Sequence, residues 1–349
     1  MNKWYDSDSC NTGTVIGGQL CLVRNTAKYP FEEKMDERQQ EKLIEEVEDA
    51  VSSSDFLRSM NLSCRRIEPS GRETEVLVAH LCIPPLFMRD GGSPAVFITP
   101  DESLTIYVNG TEQICIQVSV PGRSISRAAE LADMVDRELN KSLVYAFSNK
   151  YGYLTASPLF AGTGLSASVL MHLPYIEKKQ LTGKYARELG QFGFSLNAQF
   201  KGSMPAPGSI YRIRNRKTLG LSEGELISAL EHFSLMMESR EKDARASYLS
   251  ENRLIEENWV YRAYGVLRYA RYLSQEEALT CLSASRTGDL EHMWNSDRPV
   301  SAFGAMVRSC DCEYDPSGYS EDDVGQAVGM QRAADIQSEL PEIAMSANF

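Results

Sequence analysis

The sequence predicts an α+β fold, in which an antiparallel sheet flanked by helices is followed by an all-helical domain. Two observations predict it. Short apolar segments separated by tight turns lie in the first half of the chain, while residues 240–295 are rich in helix formers and contain no proline. Strands joined by tight turns favour an antiparallel meander over parallel βαβ units. We therefore expect a mobile start at 1–14, an α+β domain at 15–240 and a helical, dimerisation-type domain at 241–349.

The first segments after the polar start alternate between helix and strand. Leu43, Val47 and Val51 recur at helical spacing, which predicts an amphipathic helix within residues 32–60 and a short second helix after it. Asn109-Gly110 is a typical hairpin turn. Apolar and β-branched runs on either side of such turns predict four strands, at residues 74–82, 95–99, 104–108 and 113–120.

The later elements are mainly helical. Ser222 followed by Glu225 is a capping-box pattern, so we expect a helix to begin there, and Ser274 is a second expected N-cap. Two more strands are expected at residues 194–200 and 209–214, and a turn at 315–318. Helices are predicted at residues 126–146, 166–171, 178–192, 222–238, 249–273, 275–286 and 320–340.

Composition narrows the function classes. Lys and Arg number 36 and Asp and Glu 48, so the net charge is 36 − 48 = −12. Such a chain is a poor nucleic-acid binder, and any nucleotide site needs a local cluster of cations. No apolar stretch is long enough to span a membrane, and the first residues lack the apolar core of a signal peptide, so we expect a cytosolic protein.

The eight cysteines argue against a metal site. They are scattered without a CxxC pair, whereas structural zinc sites usually use paired spacings. We therefore expect no metal and interpret the cysteines as isolated buried thiols in a reducing compartment.

Five segments carry a family resemblance. Residues 152–169 read GYLTASPLFAGTGLSASV, close to GYLTSCPTNLGTGLRASV, and residues 209–220 read SIYRIRNRKTLG, close to NIYQISNQVTLG. Residues 15–25, 108–113 and 260–267 resemble VISSRIRLARN, VNEEDH and VYRSYGIL. These are motifs of bacterial protein-arginine kinases in the phosphagen-kinase (ATP:guanido phosphotransferase) family, and they occur here in the same order.

The resemblance implies a fold and a reaction. It implies an antiparallel sheet wrapped by helices that binds Mg-ATP, and a helical C-terminal domain that makes a homodimer. The family reaction moves the γ-phosphoryl group of ATP to a protein arginine and marks that protein for a Clp protease. A zinc-binding partner protein activates the kinase.

Most positions that carry this chemistry in the family are replaced here. The glutamate pair falls on Gly110 and Thr111, the active-site cysteine on Ser157 and the catalytic glutamate of a later loop on Gly202. The family arginines that surround the phosphates fall on Gln19, Cys21, Ala79, Cys115, Ser166 and Asn197.

A few family residues remain. Arg24 and the Gly162-Thr163-Gly164 turn match the family's nucleotide-binding residues. In the C-terminal motif that reads phosphoarginine, both arginines are lost, at Asp322 and Gln326.

Typical hydrogen-bond energies show what the loss of these arginines would mean for ATP binding. A hydrogen bond to a charged group contributes about 1.5–3 kcal/mol, and micromolar binding totals about 8 kcal/mol. Losing five arginine contacts would exhaust that total. Phosphoryl transfer also needs cations around the transferred group and a base. The sequence therefore does not support a conventional kinase reaction, and no cofactor is expected.

Three hypotheses remain open. The first is a non-catalytic scaffold, adaptor or regulator that dimerises with itself or with an active paralogue and is linked to Clp-dependent quality control. The second is a divergent but active kinase that uses Mg-ATP, with Glu112 as base and Arg212 or Arg214 supplying charge. The third is a binding module for another small ligand in the vacated cleft.

Several residues have a functional and a structural interpretation. Gly162 and Gly164 either approach a phosphate or make a tight turn before a helix at Ser166. Alternation puts Arg212, Arg214 and Arg216 on one strand face, which is either an anion site or a solvated surface.

The histidines and Ser157 are weighed in the same way. His172 is interpreted as a core residue. For His80, a packing role and a role in supporting the site have equal weight. Ser157 lacks the Asp–His constellation of a nucleophile.

Overall fold

The centre of the molecule is an antiparallel sheet. The computed structural model describes residues 2–89, 91–200, 205–218, 220–310 and 321–345, the first four residues of the last range and Met345 by backbone only. Within these ranges, eight strands follow the order β2-β3-β4-β5-β1-β8-β10-β9, and each pair is antiparallel. The strands are β1 (Val15–Arg24), β2 (Ser63–Arg66), β3 (Ala95–Ile98), β4 (Leu104–Val108), β5 (Ile114–Pro121), β6 (Phe147–Ser148), β7 (Gly152–Tyr153), β8 (Leu165–His172), β9 (Phe194–Ala198), β10 (Ile210–Asn215), β11 (Trp294–Ser296) and β12 (Ile343–Met345).

Helices cover the sheet and continue beyond it. They are α1 (Glu37–Ser53), α2 (Asp55–Ser59), α3 (Arg72–Ala79), α4 (Ile125–Asn140), α5 (Pro174–Lys178), α6 (Thr182–Gln191), α7 (Glu223–Tyr269), α8 (Gln275–Leu290), α9 (Ala302–Ser309) and α10 (Glu321–Glu339). The pairs β6–β7 and β11–β12 form two small additional sheets. An antiparallel sheet flanked by helices and followed by a helical part confirms the predicted fold class.

One long helix joins the two parts. Ser222 caps α7 and makes the predicted capping box with Glu225. The first half of α7 packs against the main core under the sheet, with Leu226 and Leu230 buried there. Its second half packs Val260 and Leu267 into a separate core with α8, α9 and α10. The helix therefore runs through residue 240, where the domain boundary was expected.

Two secondary-structure predictions are wrong. Residues 74–82 were expected to be a strand, but most of them lie in α3, where the buried Thr74 and Leu77 recur at helical spacing. Residues 166–171 were expected to be helical, but they form β8. This strand lies between β1 and β10, with Leu165, Ala167 and Val169 in the main core. Leu165 to Val169 alternate as a strand does, and the helix prediction overlooked this alternation.

The N-terminal segment differs from the expected mobile start. Residues 4–10 form two short 3-10 turns, and Trp4 and Tyr5 are buried in the core. The buried guanidinium of Arg286 donates hydrogen bonds to the carbonyl oxygens of Cys10 and Gly13, at 2.6 Å each. Polar composition predicted mobility, but these anchors hold the segment against the helical part. The turn predicted at residues 315–318 lies outside the described residues.

Candidate functional site

The strand residues that stand where the resemblance predicts arginines lie on one face of the sheet. In the strand register, Gln19 and Cys21 of β1 pair with Ser168 and Ser166 of β8, and Asn197 of β9 pairs with Arg212 of β10. Directly paired residues project to the same face. Leu20 and Leu22 project to the opposite face, into the main core. We call the face that carries Gln19 and Cys21 the site face.

One half of the site face is closed. We call the part formed by β3, β4, β5 and β1 the sealed half. Cys21 and Cys115 form a disulfide bond across β1 and β5, with Cα atoms 6.3 Å apart. Phe160 stacks on Phe87 over the same region, with ring centroids 5.0 Å apart. The buried apolar cluster comprises Cys21, Val23, Ile67, Leu77, Cys82, Ile83, Phe87, Val96, Ile98, Tyr107, Cys115 and Phe160.

The expectation of isolated thiols is therefore wrong for Cys21 and Cys115. Both residues belong to neighbouring strands and project from the same face, which brings their side chains together. Two positions at which the resemblance predicts arginine are thus joined by a disulfide bond and buried. Cys10, Cys64, Cys82 and Cys281 are free thiols.

A backbone carbonyl covers the next part of the site face. Gln19 Nε2 donates hydrogen bonds to the Leu81 carbonyl oxygen at 3.0 Å and to Ser119 Oγ at 2.8 Å. Gln117 Nε2 donates to the same Leu81 oxygen. A phosphate at this point would meet a carbonyl oxygen, and both N–H donors of the Gln19 amide are already used. These residues do not fit a triphosphate in the way that the family arginines would.

The other half of the site face is open. We call the part formed by β8, β10 and β9 the open half. A cavity of about 590 Å³ lies between the open half, the adjoining edge of the sealed half at Gln19 and Gln117, and the segment after α3. Gln19, Ala79, Arg212 and Arg214 contribute to its lining. Ala79, at a family arginine position, supplies only a methyl group. Ser166 is half-buried and Asn197 exposed.

Arg212 is held in place by neutral partners. Its Nε donates to Gln199 Oε1 at 2.8 Å and its Nη1 to Ser168 Oγ at 2.7 Å. Burial, together with repulsion from Arg214, lowers the pKa of Arg212 to about 9. Burial also lowers the pKa of Arg214. Arg216 follows the end of β10 and is exposed. Alternation predicted that all three arginines share one strand face, and Arg212 and Arg214 do so.

The residues at the catalytic glutamate positions are structural. Gly110 lies where an added Cβ would be 2.3 Å from the Phe87 carbonyl oxygen. Thr111 donates its hydroxyl to the Leu86 carbonyl oxygen at 3.2 Å. Neither residue supplies a carboxylate, and both lie in a packed turn.

Glu112 is buried and fully engaged. Its carboxylate accepts hydrogen bonds from Asn25 Nδ2 at 2.7 Å, from the Ala156 amide at 2.9 Å and from the Ser157 amide at 2.8 Å. These contacts fix the loop before Phe160. Ser157 Oγ accepts a hydrogen bond from the Leu159 amide at 3.4 Å, and no His or Asp contact to it is found among the described residues.

Arg24 does not belong to the site face. As the parity of β1 requires, it projects to the side opposite Gln19 and Cys21. Its Nε and Nη2 bind Asp136 at 2.9–3.2 Å, and its guanidinium stacks 3.6 Å from the centre of the Tyr153 ring. Its Nη1 donates to the carbonyl oxygens of Val23 and Thr163. The expectation that Arg24 is a remnant of the nucleotide site is corrected: it is a structural arginine.

The Gly162-Thr163-Gly164 turn packs against the Arg24 side chain. Gly162 and Gly164 have φ of +105° and +66°, which only glycine adopts readily. A Cβ on Gly164 would be 2.7 Å from Arg24 Nη1. The Gly162-Thr163-Gly164 turn leads into strand β8, not into a helix. The contacts of this turn favour the structural interpretation.

The histidines also have structural partners. His172 is buried with its Nε2 2.8 Å from Ser283 Oγ, and burial, with Arg286 and Lys178 nearby, holds its pKa well below the usual range. His80 Nδ1 lies 3.1 Å from Glu102 Oε2, beside Tyr5. His80 therefore packs the end of α3 and its neighbours against the N-terminal segment.

Other predicted positions carry less information. Gly202 lies outside the described residues, and Asp322 lies in α10, where only its backbone is described. Gln326 is an exposed residue of the same helix. Among the described residues, no group of three or more His, Cys, Asp or Glu side chains could hold a metal ion. No helix in the described ranges is long and apolar enough to cross a membrane.

Sequence reasoning missed the carbonyl oxygen of Leu81. A backbone group leaves no residue-type signal, and the strand predicted for residues 74–82 concealed the turn that aims this carbonyl. The pairing of Cys21 with Cys115 was accessible from strand register, had β1 been predicted. Arg212 and Arg214 were identified from alternation, but nothing in the sequence located the cavity beside them.

Comparisons with known proteins agree with this geometry. Residues 25–244 match the family described as ATP:guanido phosphotransferase, C-terminal catalytic domain, and residues 252–302 match the protein-arginine kinase McsB C-terminal domain. A protein-arginine kinase of Pelotomaculum thermopropionicum is 35% identical over 82% of this chain and 81% of that protein. One of Symbiobacterium thermophilum is 33% identical over 82% of each.

Solved structures show the same fold at lower identity. A duplicated taurocyamine kinase from Schistosoma mansoni, with bound transition-state analogue components, has a TM-score of 0.58 at 16% identity. The match covers 71% of this chain and 37% of that chain, so the chain spans little more than a third of the duplicated protein. Lombricine kinase has a TM-score of 0.57 at 18% identity and covers 67% of each chain.

Proposed function

Because this chain belongs to the ATP:guanido phosphotransferase family and is related to the protein-arginine kinases, we propose that it is a catalytically impaired member. In this proposal it works as a scaffold, adaptor or regulator through the proteins that it contacts. The observation that carries the proposal is the sealed half of the site face, where Cys21 and Cys115 replace two family arginines and are bonded to each other.

The contacts around the catalytic positions support the same conclusion. Gln19 and Gln117 direct their amide donors to the Leu81 carbonyl oxygen instead of leaving them for a phosphate. Glu112 accepts three hydrogen bonds that fix a loop. A base that must leave such contacts to take a proton would first break charge-assisted hydrogen bonds worth about 1.5–3 kcal/mol each.

The helical part supplies surface for partners. Several large apolar side chains on the second half of α7 and just after it are exposed, whereas other apolar residues of the same helix are buried in the core. They are Leu254, Ile255, Trp259, Tyr269 and Tyr272. We propose that this surface contacts a second copy of the chain or an intact protein-arginine kinase in the cytoplasm. A zinc-binding activator protein and a Clp protease are further proposed partners.

A second candidate function is a divergent, active guanidino kinase that uses Mg-ATP. One observation favours it: Arg212 and Arg214 lie on the site face, where the family's phosphate-binding arginines belong, instead of on the opposite face of the sheet. In that candidate Glu112 would act as the base.

One experiment separates the two. The purified chain is incubated with Mg-ATP and an arginine-rich protein, and phosphoarginine is measured beside an intact protein-arginine kinase. We expect no phosphoarginine above that of a mock preparation, and a changed rate when this chain is added to the intact kinase. Turnover by this chain alone that is lost in Glu112→Gln would overturn the proposal and establish the active kinase.

A further inference from the structure

We propose that the cavity on the open half is a binding site for a small molecule that carries a phosphate or carboxylate group, with Arg212 and Arg214 as its anion-binding residues. This proposal does not depend on catalysis. It assigns the cavity a resident ligand whether or not the chain retains any kinase activity.

The charge of the cavity lining is the first argument. The chain carries 48 acidic and 36 basic residues, yet the described residues that line the cavity include two arginines and no acidic residue. The lining is Gln19, Val78, Ala79, Leu81, Ile83, Pro84, Pro85, Leu86, Gln117, Ala198, Gln199, Phe200, Arg212, Arg214, Gln275 and Cys310. In an acidic protein, a cavity of this composition concentrates positive potential and attracts anions.

The second argument is the lack of counter-charge. Arg212 has only the neutral oxygens of Gln199 and Ser168 as partners, and no carboxylate of a described residue forms an ion pair with it or with Arg214. No side-chain hydrogen bond from Arg214 to a described residue is found. Unpaired charges in a partly buried site are costly, and a bound anion removes that cost.

Geometry makes the pair suitable for an oxyanion. Arg212 and Arg214 are two residues apart on β10 and project from the same face, so their guanidinium groups are adjacent. Ser168 and Gln199 fix Arg212 through Nη1 and Nε, whereas Nη2 and the whole fork of Arg214 remain available in the described structure. A planar guanidinium binds phosphate or carboxylate through two parallel hydrogen bonds.

The site is chain-specific and suits a small molecule. The motif NIYQISN of the resembling family has glutamine and serine where this chain has Arg212 and Arg214, so these cations are additions, not remnants. The cavity volume of about 590 Å³ lies within the usual range of ligand pockets, roughly 300–1,000 Å³. Its apolar wall, which includes Pro84, Pro85 and Leu86, would contact the body of the ligand.

The test is direct binding to the full-length chain. Inorganic phosphate, pyrophosphate, acetate and succinate are titrated by calorimetry at constant ionic strength, with sodium chloride as reference. We expect saturable binding of at least one of them at one site per chain. Tighter binding of the phosphates identifies a phosphate ligand, and tighter binding of acetate or succinate a carboxylate ligand.

Two matched variants locate the site. Arg214→Gln should weaken binding by about tenfold or more, because it removes charge-assisted hydrogen bonds. Arg216→Gln removes the same charge from the exposed residue after β10 and should change the dissociation constant by less than about twofold, as a surface charge does. Arg214→Lys, which keeps the charge without the fork, should give an intermediate value.

Three results would overturn the proposal. They are no binding of any of the four anions beyond the chloride reference, unchanged binding in Arg214→Gln, and an equal loss in Arg216→Gln. Circular dichroism of each variant verifies that it is folded. Because binding is measured without ATP or turnover, failure here is distinguishable from failure of the proposed loss of catalysis.

Discussion

The sealed half and the open half of the site face differ in the residues that stand where the resemblance predicts arginines. On the sealed half these residues are Cys21 and Cys115, which lie in an apolar cluster with Phe160. On the open half, Ser166 and Asn197 are polar, and two arginines of β10 line a cavity.

This difference concerns how each half of the site face can accommodate a charged group. A site that loses its cations and gains apolar side chains closes, because the buried area stabilises the fold by about 25 cal/mol per Å². A site that keeps polar groups and gains cations remains solvated and available to an anion. The comparison predicts that one half resists the return of charge and the other tolerates it.

The largest effect is expected from restoring an arginine to the sealed half. Cys115→Arg should destabilise the chain by about 5 kcal/mol or more, because an unpaired buried charge and an overpacked core both destabilise. Urea denaturation and soluble yield measure it. Cys115→Val is the control, since it also lacks the disulfide but keeps an apolar side chain.

The matched substitution on the open half is Ser166→Arg. Ser166 is half-buried at another family arginine position, so an added guanidinium there can reach solvent. We expect a loss of less than about 1 kcal/mol in the same denaturation experiment. Equal losses in Ser166→Arg and Cys115→Arg would contradict the division into two halves.

A smaller loss is expected where the apolar cover of the sealed half is removed. Phe160→Ala should lower the free energy of unfolding by about 3 kcal/mol, because it leaves a cavity above Cys21 and Cys115 and ends the stacking on Phe87. Leu159→Ala, at an exposed neighbour, is the control and should change it by less than about 0.5 kcal/mol. A comparable loss in both would mean that Phe160 does not seal this half.

The smallest expected effect depends on pH. Burial opposes ionisation of Glu102, but hydrogen bonds and charge from His80 and Lys3 outweigh it and lower its pKa from 4.5 to about 2. A carboxylate with a lowered folded-state pKa stabilises the fold above about pH 4.5, and this contribution is lost as the pH falls towards 2. Glu102 thus helps to hold the end of α3 that covers the sealed half.

Glu102→Gln tests this contribution. The variant should be less stable near neutral pH by about 1.5–2 kcal/mol, as expected for lost hydrogen bonds to a charged group. Its stability should also fall less than that of the parent chain between pH 4.5 and 2. Urea denaturation across that range measures both, with exposed Glu45→Gln as control. Parallel pH profiles for parent and variant would refute the assignment.

Some of this could be predicted from sequence because the signal is local. The capping box at Ser222 and the strands predicted at residues 95–99 and 104–108 depend on neighbours in the chain, and they were found at Ser222, Ala95–Ile98 and Leu104–Val108. The parity of β1 was also present in the sequence: Gln19 and Cys21 are odd-numbered and Arg24 is even-numbered, so a single strand cannot project all three to one face.

Other features required contacts between distant residues. The helix at residues 72–79 was predicted as a strand, since β-branched composition gave no indication of the face that tertiary packing buries. Strand β8 was predicted as a helix, although Leu165 to Val169 alternate between core and polar side chains, because the two neighbouring strands that pair with it are distant in the chain.

The sequence by itself determined the family and the fold class, because those are properties of residue identity and order. Only the tertiary structure decided what became of each position. It paired Cys21 with Cys115, aimed the Leu81 carbonyl oxygen at Gln19, turned Arg24 into the core and left Arg212 beside a cavity. The physical reason is that closure, burial and pairing depend on groups that are far apart in the chain and meet only when the sheet is assembled.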